Sequence, residues 1–83
     1  MNNRNIKATV FGVLLVKEIQ LCTEDFGKFE HEAMERWLRG GVMALQSVIK
    51  ECRLQKEYSK WRNEHGAAYG WKPKYEQELK ELL

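Results

Sequence analysis

The chain has 83 residues, a net charge of +2, and a composition that is 43% hydrophobic and 31% charged. A chain of this length buries only about 60–65% of its unfolded surface, which makes one domain with a thin core and favours association as a supplement. The near-neutral charge argues against a strong duplex-DNA binder, and a single proline leaves helices free to run.

The N-terminal residues 1–5 are polar and are expected to form a flexible tail. Residues 6–22 are apolar nearly all round, so periodicity does not separate helix from strand. Thr9, Val10, Val13 and Val16 suit a strand. Leu14, Leu15, Glu18, Ile19 and Leu21 suit a buried helix. No second segment reads as a strand, and a lone strand leaves its backbone groups unpaired. Helix is the preferred reading. Arg4 and Lys7 ahead of the apolar run Ala8–Val16 resemble the start of a signal peptide, but Lys17 and Glu18 interrupt the run. A cytoplasmic location is therefore expected.

Thr23-Glu24-Asp25 is a helix-start signal, a capping hydroxyl followed by acids. From Ala33 to Cys52 the apolar residues fall on one half of a helical cylinder, among them Met34, Trp37, Leu38, Val42, Leu45, Val48 and Ile49. Glu32 and Glu35 precede Arg36 and Arg39 by four residues, a mild stabilising pattern. Gly40-Gly41 costs about 1 kcal/mol per glycine inside a helix. The stripe nevertheless continues in phase across the pair, which predicts an unbroken helix rather than a hairpin.

Beyond Cys52 the apolar phase changes. Leu54, Tyr58 and Trp61 lie on the opposite side from Trp37 and Leu45, in line with Met43. One helix over about 24–63 would then carry two apolar faces. The second face, Met43, Leu54, Tyr58 and Trp61, is the candidate interface for self-association or a protein partner. A chain break near Arg53 is the alternative. His65-Gly66 reads as a helix end, residues 66–72 as a loop, and Pro73 as the start of a last helix over 73–83. The predicted fold is all-α: a single domain, 1–83, of three or four helices around one long amphipathic helix.

Chemistry-bearing motifs are sparse. Cys22, His31, Cys52 and His65 lack metal-ligand spacing, and the two cysteines are expected to be free thiols. Ser47, Ser59 and the cysteines have no elbow or base arrangement that would make a nucleophile. No cofactor, no metal and no enzymatic activity are expected. Residues 50–74 hold seven basic against three acidic side chains. There Lys56, Lys60, Arg62, Lys72 and Lys74 interleave with Tyr58, Trp61, Tyr69 and Trp71. Such a mixture can contact anionic ligands or nucleic acid, form a protein interface, or simply pack.

Arg36-Trp37-Leu38-x-x-Gly41-x-x-x-Leu45-Gln46 resembles a segment of the small phage helical-hairpin proteins that sequester cyclic oligonucleotides and blunt CBASS defence. The likeness spans eleven residues, and Val48-Ile49 stand where that segment continues with glycine and an aromatic. It implies a nucleotide sponge as an alternative function and carries over no binding residue. The principal expectation is a non-catalytic helical interaction protein, oligomeric, acting as an adaptor or as a phage-type inhibitor of a host protein.

Overall fold

The computed structural model describes residues 3–23 and 32–83. Four helices occur there: α1 (Asn3–Thr23), α2 (Glu32–Glu51), α3 (Gln55–Tyr69) and α4 (Lys74–Leu82). No strand occurs among the described residues, so the helical reading of 6–22 holds. The helix begins at Asn3, inside the segment expected to be a tail. The predicted helix start at Thr23-Glu24-Asp25, with His31, lies outside the described residues apart from Thr23. Thr23 belongs to α1, where its hydroxyl donates to the Ile19 carbonyl at 2.8 Å. None of the helices is long and apolar enough to cross a membrane.

The organising element is α1, not the predicted 24–63 helix. It is the one helix that packs against all three others. Phe11, Leu14, Leu15, Glu18 and Leu21 are its buried positions. Their spacing of three and four residues traces one face of a helix. Val13 and Val16 point away and are exposed. The run looks apolar all round, yet only half of it is covered.

The predicted rod over 24–63 does not exist as one helix. It is continuous through Gly40-Gly41, as the in-phase stripe requires, and then ends at Glu51. Arg53 adopts a left-handed φ of 60°. Its amide donates to the Lys50 carbonyl at 3.0 Å, and the Leu54 amide donates to the Ile49 carbonyl at 2.9 Å. These two bonds are a Schellman ending, which satisfies carbonyls that a helix terminus otherwise leaves free. The break swings α3 back onto α1. Leu54, Tyr58 and Trp61 thereby cover this chain's own core, so their change of phase marks a turn in direction.

A second Schellman ending closes α3. Gly70 has φ 93° and donates to the Ala67 carbonyl at 3.1 Å, and Trp71 donates to the Gly66 carbonyl at 2.9 Å. The predicted helix end at His65-Gly66 is thus four residues early, and residues 66–69 are helical rather than loop. Gly66 serves a different purpose. A Cβ there would lie 2.9 Å from the Trp71 Cβ. The missing side chain lets Trp71 fold back under the last turn. Pro73 then leads into α4, which lays Tyr75 and Leu79 on the core.

Candidate functional site

Two features stand apart from ordinary core packing: a buried ionic cluster and an exposed apolar seam.

The cluster centres on Glu18. This carboxylate is 1% exposed and sits among the leucines of α1. The Tyr58 hydroxyl donates to its Oε1. Gln46 Nε2 donates to Oε2 at 3.1 Å. Arg62 Nη1 lies 3.3 and 3.4 Å from the two oxygens. Thus α1, α2 and α3 each place a polar group on one point. The Arg62 guanidinium is itself buried, with its centre 4.1 Å from the Trp71 ring and 5.3 Å from the Tyr58 ring. Its Nη2 reaches the exposed Glu76 of α4 at 3.9 Å. An isolated charge in such a place would cost several kcal/mol, and the surrounding donors offset that cost.

The same burial governs the reactive groups nearby. Desolvation, followed by the Glu18 charge, pushes the Tyr58 hydroxyl far above its ordinary value. Desolvation, followed by Glu78 and Glu18, raises the Cys22 thiol to about 11. Both groups therefore stay protonated near neutral pH. Cys22 Sγ lies 3.8 Å from the Tyr75 carbonyl. A groove of about 410 Å³ opens beside the cluster, lined by Gln46, Tyr58, Arg62 and Lys80 among others. In it Glu18 is engaged by three neighbours, Gln46 of α2 and Tyr58 and Arg62 of α3, which tie the three helices together at one buried point.

The predicted interface residues are dispersed. Met43 is exposed on α2. Leu54 is half-buried in the α2–α3 turn and packs on the core. Tyr58 is 6% exposed and bonded to Glu18. Trp61 lies 5.7 Å from Phe11 and 5.2 Å from His65, ring centre to ring centre. The predicted basic-aromatic surface is divided as well. Lys56, Lys60, Lys72 and Lys74 are exposed, while Arg62, Tyr58 and Trp71 turn inward. Tyr69 stays exposed and Trp61 is half-buried, so only part of the alternation of cations and flat rings is left at the surface. Both cysteines are free. Among the described residues no group of three His, Cys, Asp or Glu is placed to hold a metal ion.

The exposed seam lies on α2. Only Leu38, Val42 and Ile49 of the broad stripe are buried, with Leu45 packed beside them. The other flank is bare: Met34 is 56% exposed, Trp37 64% and Val48 49%. Half-buried Gly41 and exposed Ala44 complete the line. Met34, Trp37, Gly41, Ala44 and Val48 follow one another at steps of three, four, three and four residues. That is the spacing of a seam made to receive another helix. Lys17 of α1 borders it, with Nζ 4.2 Å from the Trp37 ring centre and side-chain atoms 3.8 Å from where a Gly41 Cβ would stand. Beyond Val48 the seam opens into an apolar hollow of about 430 Å³ between Val10, Phe11, Cys52 and Leu54.

The sequence singles out neither feature. Glu18 has a signal in its phase, four residues after Leu14 and seven after Phe11. No family model, curated protein or solved structure matches this chain.

Proposed function

We propose that this chain is a non-catalytic interaction protein, an adaptor or a phage-type inhibitor, whose working surface is the outer face of α2. The observation that carries this reading is the exposure of Trp37, with Met34 and Val48, in helix-packing register on a helix whose opposite flank already serves the core. Covering the half of each side chain that is still exposed is worth roughly half the 1.5–3 kcal/mol of full burial, about 1 kcal/mol each. Tryptophan is also the residue most enriched where binding energy concentrates. The core does not draw on these three side chains, so their retention on one line is best explained by a partner. The inward turn of Tyr58 and Trp71 gives less support to a nucleic-acid reading, which needs flat faces open to bases.

The test is site-specific photo-crosslinking in cells that express the full chain. A benzoylphenylalanine at position 37 is compared with one at exposed position 64. The reading expects a discrete protein adduct from position 37 that disappears when Met34 and Val48 are changed to lysine. Equal labelling from the two positions, or none from 37, would overturn it.

A further inference from the structure

We infer that the groove beside the Glu18 cluster is a binding site for a small organic monocarboxylate with an apolar body, such as a medium-length fatty acid. The site is separate from the outer face of α2 and stands or falls independently of the interaction reading.

The groove exists because the last helix stands apart. At the level of the backbone α4 packs against α1 alone and meets neither α2 nor α3. The groove of about 410 Å³ runs between them. Leu14 of α1 lines it, with Ile49 of α2 on one side and Leu79 of α4 and Leu83 on the other. These are hydrocarbon walls. The volume falls near the lower end of the range for small-molecule sites, about 300–1,000 Å³, so the body it holds is short.

Arg62 sets the head group. Its side chain is 9% exposed, and its guanidinium lies 4.1 Å from the Trp71 ring centre. Nη1 is engaged by Glu18. Nε is buried and has no hydrogen-bond partner. Nη2 approaches Glu76 only to 3.9 Å, beyond hydrogen-bond length. The Nε–H and one Nη2–H point the same way from a planar guanidinium, and this fork matches the two oxygens of a carboxylate. A buried donor without an acceptor is costly, and a ligand oxygen removes that cost. Glu76 is a wall of the same groove, so the fork is turned toward it. Lys80, one turn after Glu76, also lines the groove, is exposed, and has no ion pair among the described residues.

The charges select the kind of anion. Glu18 already balances Arg62, while Glu76 is 64% exposed and can turn into water. A bound carboxylate takes the place that Glu76 approaches loosely and gains Lys80 as a second cation. A doubly charged phosphate meets stronger repulsion from Glu18 and Glu76 and gains nothing from the apolar walls. A neutral alcohol fills the walls but offers one oxygen to a two-pronged donor.

The experiment is a nuclear magnetic resonance titration of the isotope-labelled full chain with sodium octanoate and, in parallel, with octanol. Octanoate should move the Arg62 Nε–H signal saturably, at about 1–5 mM ligand. Glu76→Gln removes the competing acid and should tighten octanoate binding about threefold, whereas Lys80→Gln should weaken it about threefold. Circular dichroism checks that both variants keep their helices. Octanol should leave the Arg62 Nε–H signal in place. An Arg62 signal that octanoate does not move, or that octanol moves as far, overturns the assignment. So do equal octanoate affinities in the native chain and both variants, or a response confined to the hollow at Phe11 and Cys52.

Discussion

Replacing Arg62 by methionine isolates what the buried cluster contributes. The long stem is kept and the guanidinium is lost. At 3.3 Å from Glu18 the two charges attract by about 5 kcal/mol at an effective dielectric of 20. Removing one of them leaves the desolvation cost of Glu18, which is 1% exposed, almost intact. The expected loss is about 3–5 kcal/mol. A domain of this size holds only about 4–12 kcal/mol in total, so Arg62→Met should bring it to the edge of unfolding. The same change in a Glu18→Gln background should cost about 1 kcal/mol, because the amide still accepts from Tyr58 and no buried charge is stranded. Urea titrations of the four proteins, with a stabilising osmolyte where needed, give the coupling energy. Equal costs for Arg62→Met in the two backgrounds, within about 0.5 kcal/mol, would refute the assignment of Arg62 as the counter-charge of Glu18.

Other outcomes follow from the same contacts. Gly66→Ala should destabilise by about 1–3 kcal/mol because its methyl collides with Trp71, whereas Gly40→Ala, facing open space, should stabilise by up to about 1 kcal/mol. Similar melting shifts for the two would contradict the close approach at Gly66. With a disulfide reagent near pH 8, exposed Cys52 should react at once. Cys22, raised to about 11 and half-buried, should react only as the chain opens; two equally fast thiols would contradict its placement. The raised Tyr58 hydroxyl has a defined sign. The unfolded chain releases this proton near pH 10 and the folded chain well above, so the contribution is complete below about pH 10 and is lost as pH rises further. Alkaline unfolding should therefore be steeper in the native chain than in Tyr58→Phe, and equal slopes would refute the buried position.

Much of the scaffold was legible because its signals are strong and local. The continuity of α2 through Gly40-Gly41 follows from apolar phase, which outweighs two poor helix formers. The helical state of α1 follows from the lack of any strand to pair with it. The turn at Arg53 was harder, because no glycine or proline announces it. An arginine takes the left-handed position and backbone bonds alone close the helix. The sequence shows the resulting change of face but not whether another subunit or the chain itself covers it. Gly66 misleads for the opposite reason: a glycine used for close approach looks the same in sequence as one used to end a helix. The exposed seam was hidden because a half-cylinder of apolar residues looks like one wide buried stripe. Only the packing of α1 against Leu38, Val42 and Ile49 divides it into a covered flank and a bare one.

The interface account is tested most directly by the thermal midpoint of the native chain and of Trp37→Lys, each measured across a wide range of protein concentration. If the outer face of α2 serves a partner and not the core, the two midpoints agree within about 5 °C at the lowest concentration. A variant that melts far below the native chain at every concentration would contradict it.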